Sequence, residues 1–175
     1  MNKIYFIEIQ RFRELAFFVF IWILQMLFFV LMTKQVIFHK PVGIQISDNV
    51  FIAINLLILA INLLLNSLKL KTQIEDGGIS IKYTPYHLKE RILLWHDIIE
   101  IRFVKYDGFK EYSGYGLRYS RKMGWCYTIS GNFGIRLYLR NGKTILIGTH
   151  KSVDIQNVIR ELRDKKLIPN DILIN

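Results

Sequence analysis

Side chains that ionise near neutral pH, attack a substrate or hold a metal are sparse in this chain and poorly grouped. The histidines His39, His87, His96 and His150 are scattered, with no pair at helical ligand spacing and no cysteine beside any of them, so no metal site is expected. No Gly-rich phosphate loop ends in Lys-Ser or Lys-Thr, and there is no nucleophile elbow. His96-Asp97 has the composition of a dyad fragment, but neighbours in an extended strand point to opposite faces. Asp97 is instead expected to cap a turn or to pair with an arginine. No catalytic residue and no cofactor is assigned, and the chain reads as a non-enzyme.

The densest candidate surface lies in Tyr112 to Trp125. There Tyr112, Tyr115, Arg118, Tyr119, Arg121 and Lys122 form a mixed pattern of aromatic and basic residues, closed by Trp125. Aromatic and arginine side chains together suit a contact with a protein or with a lipid interface. The ordinary alternative is that the aromatics fill a core and the basic residues are solvated.

Ahead of this surface lie two uncharged apolar runs, Leu15 to Met32 and Val50 to Leu68. At about 1.5 Å per residue each makes roughly 27 to 29 Å of helix, close to the hydrocarbon thickness of a bilayer. Glu14 and Lys34 bound the first run, and Asp48 and Lys69 the second. Buried helices of soluble proteins normally keep a polar stripe, and neither run contains a charge. Charges at Glu8, Arg11, Arg13 and Glu14, with no small-x-small site after Met32, argue against a cleaved signal peptide. Lys3, Arg11 and Arg13 precede the first run and Lys69, Lys71 and Lys82 follow the second, whereas the intervening loop has Lys34 and Lys40. On the positive-inside rule both termini are cytoplasmic. The expected layout is a lead-in over 1–14, transmembrane helices over 15–32 and 50–68 with an extracytoplasmic loop over 33–49, a domain over 69–168 and a tail over 169–175.

Within the spans, Gln25 and the asparagines Asn55, Asn62 and Asn66 stand out. The asparagine spacing of seven then four places them on one helical face, expected to meet the partner helix or a second copy. An ion or substrate path normally recruits ionisable groups, and the spans have none.

The formal charge of +10 is concentrated after the second run, where nineteen Lys and Arg face eleven Asp and Glu, against five and three in residues 1–68. A basic domain beside an anionic leaflet gains about 1 kcal/mol per basic residue near the surface. The single Cys126 excludes an internal disulfide and fits a reducing compartment. Nucleic acid is not an expected partner, because no recognition-helix, zinc-finger or RNA-recognition pattern accompanies the charge. No linker separates the second run from Lys69 to Thr72, so the domain is expected close to the bilayer.

The domain itself reads as strands followed by a helix. Strands are expected at Leu70 to Ile74, Ile79 to Tyr83 after a Gly77-Gly78 turn, within Ile92 to Tyr106, and at Gly116 to Arg121, Trp125 to Ser130, Ile135 to Arg140 and Thr144 to Ile147. Ile99, Ile101 and Phe103 are expected to share one face. For the last hairpin, a three-residue loop Arg140-Asn141-Gly142 with a left-handed Gly142 sets Leu137 opposite Ile145 and Ile135 opposite Ile147. From Ser152, the expected N-cap, Ile155, Val158, Ile159 and Leu162 form a helical stripe that Pro169 stops.

Seven strands and an amphipathic C-terminal helix resemble the pleckstrin-homology superfold. Leu94-Trp95-His96-Asp97-Ile98, Gly114-Tyr115-Gly116-Leu117-Arg118-Tyr119, and Gly131 to Ile135 through Gly142-Lys143 to Ile147-Gly148-Thr149 are similar to segments of bacterial membrane-anchored members, as is Glu8-Ile9-Gln10-Arg11-Phe12. The resemblance implies an α+β protein in which a two-helix transmembrane hairpin carries a PH-like seven-stranded antiparallel β-barrel or sandwich, capped by a C-terminal α-helix, at the inner face of a bacterial membrane. It implies no phosphoinositide site, because the first hairpin loop is Glu75-Asp76-Gly77-Gly78, whose carboxylates repel a phosphorylated head group. The function this suggests is a membrane-anchored binding or scaffold module that meets a protein partner, a lipid surface or a second copy. The alternative is an accessory subunit that docks into a larger membrane complex through its hairpin.

Overall fold

The apolar runs become helices in a computed structural model that describes residues 3–12, 15–39 and 47–175. The chain divides into two units, one formed by residues 12–67 and the other by the residues up to Arg11 together with Leu68–Asn175. In the first unit, α1 (Leu15–Met32) runs into a π-helical segment, Thr33–Ile37, and α2 spans Asp48–Ser67. Both are long and apolar enough to cross a membrane, Phe17–Ile37 over 21 residues and Asp48–Ser67 over 20. The first helical segment thus extends beyond the expected boundary at 32 and takes in Lys34. Each helix turns one stripe toward the other and leaves the rest bare, with Phe20 63% and Met26 62% exposed. Arg13, Glu14 and Lys40, used in the charge argument, lie outside the described residues.

The second unit begins with a strand that the sequence pattern hides. Residues expected as a lead-in form β1 (Ile4–Arg11), which pairs antiparallel with β2 (Lys69–Glu75) from Ile4↔Glu75 to Arg11↔Lys69. The strand is inside out by ordinary patterning. Glu8 and Gln10 are buried while Ile7 and Ile9 are exposed. The buried polar side chains reach across the domain: Glu8 accepts from the Thr149 hydroxyl at 2.5 Å and the His150 amide at 2.8 Å, and Gln10 Nε2 donates to the Gly148 carbonyl at 2.7 Å.

The first sheet has the order β1-β2-β3-β4, with β3 at Gly78–Thr84 and β4 at Arg91–Leu94. Its first hairpin turns at Asp76-Gly77, since Glu75 pairs with Gly78, so the turn lies one residue before the expected Gly77-Gly78. Gly78 sits at φ +155°, where an added Cβ would stand 2.1 Å from the Leu93 carbonyl oxygen, and only glycine lets β4 approach.

The second sheet comprises β5 (Ile98–Lys105), β6 (Gly116–Ser120), β7 (Gly124–Thr128), β8 (Phe133–Leu139), β9 (Thr144–Gly148) and β10 (Leu173–Ile174), in the order β10-β5-β8-β9-β7-β6. No ladder joins the two sheets among the described residues, so they do not close into a barrel. Of the expected seven-stranded antiparallel barrel or sandwich, the barrel is not formed and the strand count and pairing are corrected: ten strands are described, and β7–β9 and β10–β5 pair in parallel. The stretch expected as a tail thus adds a strand to the second sheet, and Ile168 and Ile172 beside it are buried.

Local chemistry explains the remaining differences. An irregularity between Ile98 and Glu100 reverses the alternation of β5, so Ile98 and Ile101 are buried while Ile99 is exposed. The β8–β9 hairpin has the expected register, Ile135↔Ile147 and Leu137↔Ile145, with Gly142 at φ +76°. His96 and Asp97 occupy a 3-10 turn, Trp95–Asp97, rather than a strand, and their side chains meet at 3.3 Å on the surface. Arg140 bonds the His96 carbonyl and Asp171 rather than the Asp97 carboxylate.

A short helix, α3 (Gly108–Tyr112), is capped by Asp107, whose carboxylate accepts from the Phe109 and Lys110 amides. In α4 (Ser152–Asp164) the stripe of Ile155, Ile159 and Leu162 is buried as expected. Ser152 does not cap it, however. Lys151 holds the cap position without a side-chain bond, and its amide donates to the Thr149 hydroxyl. The helix ends at Asp164, five residues before Pro169; beyond it Lys166 turns left-handed, and the Lys166 and Leu167 amides bond the Arg163 and Leu162 carbonyls.

Glu8→Ala would orphan the Thr149 hydroxyl and the His150 amide inside the domain, and is expected to cost about 2 to 3 kcal/mol. Thermal unfolding of the full chain in detergent reads this loss, and Glu8→Gln, which keeps one acceptor oxygen, should cost less.

Candidate binding groove

Parallel pairing of β7 with β9, Trp125↔Ile145, brings the turn before each strand to the same end of the second sheet. The approach is close. Gly124, at φ +80°, lies where a Cβ would stand 2.2 Å from the Thr144 carbonyl oxygen. Between the two turns is a cleft of about 440 Å³ lined by Tyr119, Arg121, Lys122, Trp125, Lys143 and Thr144 with Gly124 and Gly142. That volume falls in the range of small-ligand and peptide side-chain pockets.

The wall of the cleft follows from the β6–β7 register. Tyr119 and Trp125 are directly opposite, and their rings sit 5.2 Å apart, tilted by 53°. Arg121 and Lys122, exposed at the turn, provide positive charge on one rim, and Lys143 provides it on the other. No carboxylate is among the lining residues described. The arrangement can therefore hold an anionic group beside an apolar or aromatic one, with charge-assisted hydrogen bonds from the rim.

The structure divides the candidate patch. Tyr119, Arg121 and Lys122 come together in the cleft with Trp125. Arg118 is exposed on β6 and donates to the Tyr115 carbonyl at 3.2 Å. Tyr112 belongs to the core, packed with Tyr106, Cys126 and Leu146, and donates its hydroxyl to the Met123 carbonyl. Tyr115 is half-buried against that core and meets Phe109 edge-on. Sequence reasoning missed the second rim, Lys143 and Thr144, because the pairing that brings it alongside is non-local.

The membrane-span candidates also separate. Gln25 Nε2 donates to Asn55 Oδ1 at 3.4 Å, and Asn55 Nδ2 reaches the Phe28 and Phe51 carbonyls. Asn62 is fully buried and donates to the Ile58 carbonyl, while Asn66 is exposed and donates to the Asn62 carbonyl. Gln25 and Asn55 thus join the two helices, Asn62 is buried with its bond kept inside α2, and Asn66 is exposed.

Elsewhere, Ser130 Oγ lies 3.1 Å from His150 Nε2, the distance of a nucleophile and its base. Glu8 reaches the His150 backbone amide and not the imidazole, so it does not orient the ring as a triad acid would. Among the described residues no group of three His, Cys, Asp or Glu could hold a metal.

Burial dominates the titration of core groups of the domain. It pushes the Cys126 thiol up to about 11, and the Tyr83 and Tyr112 hydroxyls to about 12. Each group is held neutral in the fold and ionises more readily once unfolded. Their contribution to stability is therefore complete below the ordinary values of 9.0 and 10.0, and is lost as pH rises through about 11 and 12.

No protein-family model matches the chain, and a comparison with curated proteins finds no match either.

Two outcomes follow from this geometry. Cys126 should resist a thiol reagent at pH 8 in the folded protein and react fully in denaturant, and the domain should lose stability between about pH 9 and 12 in a denaturant series. Gly124→Ala, which forces a Cβ onto the Thr144 carbonyl, should cost at least about 2 kcal/mol in the same unfolding assay.

Proposed function

We propose that this protein is a membrane-anchored binding module: a two-helix hairpin spans the membrane and presents a PH-like α+β domain on the cytoplasmic side, where its basic-aromatic cleft takes an acidic segment of a protein partner. The observation that carries the reading is the cleft itself, in which Arg121, Lys122 and Lys143 surround the Tyr119 and Trp125 rings without a lining carboxylate. A shallow basic groove with an aromatic wall suits a short acidic peptide, since the rim charges steer it and the rings supply buried contact area.

The anchor is supported by the two helices and their bare apolar surfaces, which would be unfavourable in water. A cytoplasmic location is supported by the basic excess of the domain and by its free, buried cysteine. The PH-like reading draws on the two sheets and on the amphipathic C-terminal helix α4. The self-contained module is favoured over an accessory subunit docked through its asparagines, because Gln25 and Asn55 bond each other across the hairpin and Asn62 is buried.

Crosslinking from native membranes tests this function. Arg121→Glu, Lys122→Glu and Lys143→Glu should each weaken partner capture about tenfold, corresponding to about 1.4 kcal/mol per reversed charge. Unchanged capture by the triple variant, or release of the intact protein by a carbonate wash, would overturn the reading.

A further inference from the structure

The end of the first sheet away from its Asp76-Gly77 turn has a surface that the groove does not explain. There Arg11, Lys69 and Thr84 stand in register across β1, β2 and β3. The chain continues from Arg11 toward α1, and it arrives at Lys69 two residues after the last residue of α2. The β3–β4 loop leaves the same row at Thr84. Strands are about 4.8 Å apart, so the start of this loop is held within roughly 10 Å of both covalent connections to the helices.

The loop is pinned in a particular way. The His87 amide donates to the Tyr83 carbonyl at 2.7 Å, the Tyr83 amide donates to His87 Nδ1 at 3.4 Å, and the His87 ring rests 5.6 Å from that of Tyr127. With His87 tied to the domain, its neighbours are displayed: Tyr86 is 60% exposed and Leu88 90%. Lys89 is exposed beside them, and Lys82 lies on the flanking strand, half-exposed. The nearby acid, Glu90, is paired with Lys71 at 2.9 Å.

We propose that this loop is a second membrane contact, a wedge in which Leu88 enters the lipid interface, Tyr86 lies at head-group level, and Lys69, Lys82, Lys89 and Arg11 meet anionic lipid. The inference rests on the membrane-anchored reading and is independent of the groove. Chain continuity selects lipid as the occupant, because this is the end of the sheet from which two membrane-length helices depart. The composition agrees: an aromatic with a polar tip, a bare aliphatic tip and a cluster of cations are what an anionic interface binds. The wedge would hold the domain against the leaflet at a third point beside the two chain connections.

The test uses the full chain reconstituted in vesicles that contain anionic, bromine-bearing phospholipid. An environment-sensitive fluorophore is attached at Leu88→Cys or, as a control, at Lys3→Cys near the opposite end of the sheet; buried Cys126 takes no label in the folded protein. The label at 88 should shift to the blue and be quenched by the lipid, with the quenching weakened in neutral lipid, while the label at 3 stays in water. A label at 88 that remains in water, or equal quenching at both positions, would overturn the wedge even if the protein stays in the vesicles after a carbonate wash. Release by that wash would instead remove the anchored reading on which the wedge depends.

Discussion

The ladder between β1 and β2 is the constraint from which the rest of the molecule follows. It joins residues that precede the helical hairpin to residues that follow it, ending on Arg11↔Lys69. Both connections to the hairpin therefore leave from neighbouring positions of one sheet, which is the arrangement that two antiparallel helices require. A long insertion between paired strands costs only a slowly growing loop entropy, and here the helices order the insert themselves. The ladder is secured by Glu8 and Gln10, whose bonds to Gly148, Thr149 and His150 tie the first sheet to the end of the second. Since β1 is an edge strand, this buried polar link supplies the attachment that a neighbour on its open side would otherwise give.

How much of this was legible depended on whether the signal was local. The helices were visible because a run of residues without charge is a one-dimensional feature. The β8–β9 register was visible because alternation and Gly142 allow one consistent pairing. By contrast, β1 was read as a lead-in because its apolar residues Ile7 and Ile9 face outward and its polar ones inward, and the partners of Glu8 and Gln10 are distant in sequence. Ile99 was assigned to the wrong face because a single irregularity in β5 inverts everything before it. An all-antiparallel barrel or sandwich was expected because strand count alone carries no pairing, and the parallel β7–β9 and β10–β5 ladders are non-local.

The candidate groove shows the same division. Its aromatic wall and one basic rim come from a single hairpin, and the stretch from Tyr112 to Trp125 contained them. Composition could not separate Tyr112, which enters the core, from Tyr119, which lines the cleft, because strand and short helix each set their own facing. The other rim needed a glycine small enough for two turns to meet, and Gly124 became meaningful only beside the Thr144 carbonyl.

The order of the elements along the chain also sets an order of assembly. During synthesis β1 emerges ahead of α1 and α2, whereas β2, its partner in the ladder, is made only after both. The first sheet consequently cannot be completed by a nascent chain whose second helix is unfinished, and the residues that lock it, Gly148 to His150, arrive later still. Maturation of the folded domain thus reports that the whole hairpin has been translated, and β1 acts as a waiting strand until then.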